Sequence, residues 1–158
     1  QHKRRLGARQ LLLAAYALTR LRQKQTFMAV LPHVKEAVLH DFAKLDASEL
    51  SKLAWMLPRN SAHEDSLMLA IARYGGARGA TLDRTPLVTI AVACLEALER
   101  SLKDGVGNPE LECQLRDLLR HIAPEGCQID AGNAYVLCAG LVRIPDASLA
   151  AEYATILA

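Results

Sequence analysis

Leu and Ala recur three and four residues apart along almost the whole chain, and clusters of turn-forming residues interrupt them. That spacing predicts helices joined in hairpins rather than strands. The first helix is expected over residues 6–23, with Leu11, Ala14, Ala15 and Leu18 on one stripe. The second falls within 27–42, with Val34, Val38, Leu39 and Phe42 inward and Pro32 either starting or kinking it. Asp46 and Ser48 cap a third, which carries Leu50, Leu53, Ala54 and Leu57 and ends at Pro58. The fourth spans 63–74 and is expected to stop at Gly75 and Gly76. Pro86 lies in the first turn of a fifth that continues to Leu102. Asn108 and Pro109 open a sixth ending near Ile122 and Pro124, 130–142 forms a seventh, and Asp146 caps an eighth.

The same offsets return in alternate helices. Asp46, Leu50, Leu53, Ala54 and Leu57 match Asp83, Leu87, Ile90, Ala91 and Cys94, and again Asp130, Ala134, Leu137, Cys138 and Leu141. Leu11, Ala14, Ala15 and Leu18 extend the series, with Gly7 in place of the Asp. A capped first helix followed by apolar positions 4, 7, 8 and 11 residues on suits a two-helix unit that buries a face against its neighbour. The expected fold is all-α, a right-handed α-solenoid of about four helix-turn-helix repeats over 6–45, 46–82, 83–128 and 129–158. The longer third unit accommodates the polar loop 103–108.

Composition supports helices: of the 158 residues 51% are hydrophobic, 23% charged and only 4% aromatic, which excludes a disordered chain and disfavours a sandwich or barrel. No apolar run is long enough to cross a bilayer, so no membrane insertion is expected. Opening at Gln1 rather than Met, the sequence is expected to be a processed form or part of a longer chain or assembly.

The net charge of +2 conceals a lopsided distribution. Lys3, Arg4, Arg5, Arg9, Arg20, Arg22 and Lys24 lie within the first 24 residues, where no acidic residue occurs. A block of this kind attracts phosphate backbones; equally, it forms a solvated face or an edge for an acidic protein. Arg73, Arg78 and Arg84 form a second, weaker cluster around Gly75, Gly76 and Gly79, where helix-end charge complementarity and loop solvation are the simpler account.

Candidate chemical sites are weak. Cys94, Cys113, Cys127 and Cys138 contain no CxxC pair; Cys94 and Cys138, on apolar positions, are expected as buried reduced thiols. The Gly-rich segment follows a helix and lacks a Gly-Lys-Ser/Thr ending. His63-Glu64 has Leu67 where a second zinc ligand would stand, and His33 with His40 makes a poor metal site. No nucleophile elbow or carboxylate pair appears, so we expect no enzyme activity, cofactor, metal or small-molecule substrate. Trp55, between Ala54 and Met56, suits an inter-helix wedge better than a base-stacking platform.

The stretch Ser48-Glu49-Leu50-Ser51-Lys52-Leu53-Ala54-Trp55-Met56-Leu57 resembles the Leu-x-x-Leu-Ala-Trp-Ala-Leu core of the octotricopeptide and heptatricopeptide repeats and the FAST kinase-like proteins that often end in a RAP domain. The other units lack the Trp, and no RAP domain is recognised. The resemblance implies an RNA-associated protein of mitochondria or plastids, with RNA and neighbouring proteins of a large assembly, such as a mitochondrial ribosome, as partners. Residues after the caps, Ala47, Arg84 and Ala131, share no hydrogen-bonding chemistry, which argues against reading one base per repeat and for phosphate contacts from the basic block. A purely protein-binding scaffold is the alternative.

Overall fold

The computed structural model describes residues 6–124 and 128–158. They form eight α-helices and no strand: α1 (Ala8–Arg20), α2 (Lys24–Asp41), α3 (Ala47–Arg59), α4 (Asp65–Arg78), α5 (Arg84–Lys103), α6 (Pro109–Ile122), α7 (Ala131–Leu141) and α8 (Ala147–Leu157). Short 3₁₀ turns follow α2 and α4. The odd-numbered helices begin after Gly7, Asp46, Asp83 and Asp130. Asp46 and Asp130 accept hydrogen bonds from the backbone N–H three residues on, as do Asn108 and Asp146 before α6 and α8, while Asp83 makes no such bond. Gly105 and Gly107, with φ of +73° and +67°, turn the loop between α5 and α6 through the left-handed region.

The helices pack in a repeating pattern. α1 lies on α3, α3 on α5 and α5 on α7, while α4 lies on α6 and α6 on α8. Ion pairs tie successive hairpins: Arg9 to Glu49 at 2.8 Å, Lys35 to Glu64 at 2.6 Å, Arg73 to Glu110 at 3.0 Å, and Arg116 to Glu152.

Counting from each cap of the odd helices as zero, two rows of side chains divide the neighbours between them. Positions 1, 5, 8 and 12 of α1 are Ala8, Leu12, Ala15 and Thr19, which are the buried residues of that helix. Positions 3, 7, 10 and 14 of α3, the helix that packs on α1, are Glu49, Leu53, Met56 and Asn60. Asn60 Nδ2 donates to Thr19 Oγ1 at 2.8 Å and to the Met56 carbonyl. The same relation holds later, where Leu95, at position 12 of α5, stands against Gly140, at position 10 of α7. A β-carbon at Gly140 would lie 3.5 Å from the Leu95 Cβ and 2.9 Å from its Cδ1. Position 7 therefore faces the preceding hairpin and position 8 the following one. In α3 and α5 both are buried, as Leu53 with Ala54 and Ile90 with Ala91.

Four expectations need correction. α4 does not stop at Gly75 and Gly76 but runs through them to Arg78. These glycines let α4 approach α6: added β-carbons would meet Leu118 at 2.6 Å from Gly75 and Gln114 at 2.9 Å from Gly76. Cys138 is exposed, whereas Cys94 is buried and burial pushes its thiol up to about 12. Cys138, at position 8, lies on the side of α7 away from α5. Leu39 is exposed because α2 is covered on one side only, the side that bears Phe27, Leu31, Val34 and Val38. Of the two alternatives for Pro32, the first fails: it does not start α2 but lies in its interior. Cys113 is exposed, and Cys127 lies outside the described residues.

At the end of α4, His121 packs on buried Gly79, and its Nε2–H donates to the Gly76 carbonyl at 3.0 Å. A methyl at position 79 would meet the His121 Cβ at 2.7 Å, an atom too close to its own backbone to swing clear. Gly79→Ala should cost about 1–3 kcal/mol through overpacking, read by urea unfolding. His121→Ala in the same chain should recover part of the loss; full additivity of the two changes would contradict the packing assigned here.

Candidate nucleic-acid interface

The odd helices leave a third row free, at positions 2, 6, 9 and 13. In α1 it is Arg9, Leu13, Tyr16 and Arg20, and in α3 it is Ser48, Lys52, Trp55 and Arg59. The same row carries a single charge in each later hairpin, as Thr85, Thr89, Val92 and Glu96 in α5, then Gly132, Val136 and Ala139 in α7 with Arg143 just beyond it. Cations and aromatic rings are thus gathered on the edge of the first two hairpins.

The rings are in contact. Tyr16 and Trp55, both half-buried, lie with centroids 5.6 Å apart and tilted. The Arg59 guanidinium stacks over Trp55 at 4.0 Å and the Lys52 ammonium stands 5.9 Å from the Tyr16 ring. Trp55 reaches from α3 to Tyr16 of α1, and it is half-buried rather than enclosed. Half-exposed rings among cations form the arrangement on which single-stranded bases stack while Lys and Arg meet phosphates. Beyond this edge, burial raises the Glu96 carboxyl above its ordinary range, and Arg143 and Arg59 draw it back.

Of the sequence-derived basic block, Lys3, Arg4 and Arg5 lie outside the described residues. Arg9 is tied to Glu49 and donates to the Lys44 carbonyl at 3.1 Å, though its side chain stays largely exposed. Arg20 and Arg22 are exposed and make no ion pair among the described residues; Arg22 has a φ of 57°, in the left-handed region, where the chain turns into α2. Lys24 donates to Ser61 Oγ at 3.1 Å. Arg73, Arg78 and Arg84 are engaged separately: Arg73 with Glu110, Arg78 over the Tyr74 ring at 5.1 Å, and Arg84 donating to the Gln128 carbonyl at 2.9 Å. Sequence reading missed Tyr16, Lys52 and Arg59, although their shared offsets from Gly7 and Asp46 were available as a signal.

No group of three or more His, Cys, Asp or Glu suited to a metal occurs among the described residues, and no helix is long and apolar enough to cross a membrane. His33, His40 and His63 are exposed. A cleft of about 300 Å³ opens beside Pro58, His63, Glu96 and Arg143. Its buried carboxylate, Glu99, is paired with Lys103 and with Arg143 at 3.0 Å. Compared with family models, with curated proteins and with solved structures, the chain matches none.

Proposed function

We propose that the chain is a non-catalytic α-solenoid module of four helical hairpins that holds RNA along the α1–α3 edge within an organellar ribonucleoprotein, a mitochondrial ribosome being the assembly the sequence resemblance favours. The observation that carries this reading is the Tyr16–Trp55 pair set among Arg9, Arg20, Lys52 and Arg59. Charge in this arrangement needs no strict register with the RNA, so affinity comes from phosphate neutralisation and stacking rather than from base reading.

Trp55 is the single Trp of the chain, which makes intrinsic fluorescence a direct reporter. Titration with a single-stranded RNA oligomer should quench it, and the association constant should fall log-linearly as salt rises. Trp55→Ala, followed by RNA anisotropy, should weaken binding by about 1–3 kcal/mol. Arg20→Glu with Arg59→Glu should weaken it further and flatten the salt slope. Binding that is indifferent to salt and to all three changes would refute the RNA assignment.

A protein-scaffold reading has its own support, in the uncharged rows exposed at the two ends of the helix stack.

A further inference from the structure

Position 13, counted from the cap of each odd helix, is Arg20, Arg59, Glu96 and Arg143 in turn. One carboxylate thus interrupts a line of guanidinium groups. Glu96 is half-buried and lines the same cleft as Pro58 and Ser61, at the end of α3, and Arg143, just past α7. Both Arg59 and Arg143 are near enough to draw its raised pKa back down. Every Lys or Arg along this cleft is matched by an acid: Arg100 pairs with Asp65 at 2.8 Å, and Lys103 and Arg143 share the buried Glu99. Glu96 adds a further negative charge, with no ion pair of its own among the described residues.

On the other side of Arg59 the balance is reversed. Arg20 and Arg22 are exposed, Lys24 joins the α1–α2 turn to the α3–α4 turn through the neutral Ser61 hydroxyl, and Lys52 and Arg59 stand over aromatic rings. A strand that follows cations and rings from α1 onto α3 therefore meets repulsion where it reaches α5.

We propose that Glu96 ends the RNA path, confining the bound strand to the first two hairpins and keeping its phosphates from Arg143. The proposal rests on the RNA reading above and adds to it a limit on how many phosphates the edge neutralises. Glu96 acts by exclusion: an uncompensated charge placed against one route discriminates as well as a new contact along another.

Two oligouridines, of about four and about twelve nucleotides, test this at mildly alkaline pH, where Glu96 is ionised despite its burial. Glu96→Gln should tighten the long oligomer about three- to tenfold and leave the short one within about twofold. The salt slope of the long oligomer should steepen by about 0.7 for each phosphate gained. Arg143→Gln alone should change neither affinity, since Lys103 still pairs with Glu99, but in the Glu96→Gln chain it should abolish the gain. Equal tightening at both lengths, a gain that survives loss of Arg143, or no gain at all would overturn the proposal while leaving the RNA reading intact. Failure of both oligomers to bind the parent chain would instead defeat the RNA reading, and this proposal with it.

Discussion

Val88→Asp should remove most of the stability of the fold, while Tyr135→Asp, at the same offset from the next cap, should leave the monomer within about 0.5 kcal/mol of the parent. Val88 is 3% exposed on the forward row of α5, and the base one turn before it on that row, Arg84, is held by the Gln128 carbonyl. Burying an unpaired carboxylate costs several kcal/mol, set against a total stability of about 5–15 kcal/mol for a domain of this size. Tyr135 occupies the equivalent position in α7 with solvent in front of it. Urea unfolding at neutral pH and low protein concentration separates the two. The defect at position 88 should ease as pH falls: burial raises the folded pKa of the new acid, so the folded state binds the proton first and gains stability on acidification. Equal effects at 88 and 135 would mean that the two helices are not in equivalent surroundings.

Tyr153→Ala is the second large effect, expected at about 3–5 kcal/mol. α8 buries only Leu149 and Tyr153, and Tyr153 is wholly enclosed between α8 and α6 with the Arg116 guanidinium 6.0 Å from its ring. Burial also pushes the phenol well above its ordinary pKa. Its Oη lies 3.4 Å from the Glu112 carbonyl, too long for a strong hydrogen bond, so Tyr153→Phe should be nearly silent. Since each hairpin leans mainly on its neighbours, the loss should be concentrated at the end of the stack. Hydrogen exchange should show amides of 147–157 opening in Tyr153→Ala while those of α3 and α5 stay protected. Uniform loss of protection from α1 to α8 would show that the hairpins melt as one block.

Much of this architecture was legible in the sequence, because caps and apolar spacing are local. Asp46, Asn108, Asp130 and Asp146 begin helices for the reason their side chains suggest, and the offsets of 4, 7, 8 and 11 are core positions in α3 and α5. What stayed hidden depends on neighbours. Gly75 and Gly76 read as a stop, but the approach of Leu118 and Gln114 from α6 keeps them helical. Cys138 has the spacing of a core residue and is exposed because no following hairpin covers it among the described residues. At the candidate site, counting charges along the chain drew attention to the first 24 residues, some of which lie outside the described structure. Comparing offsets between helices instead brings Arg20 with Arg59, and Tyr16 with Trp55, onto one edge.

The register between successive hairpins is the claim on which the rest stands, and one engineered bond tests it directly. Leu95→Cys with Gly140→Cys, in a chain whose four native cysteines are replaced by Ala or Ser, should close an intramolecular disulfide on mild oxidation of dilute protein. The account predicts nearly complete linkage within the monomer, with helical circular dichroism retained. A helical, folded variant whose two thiols remain free under the same oxidation would contradict it.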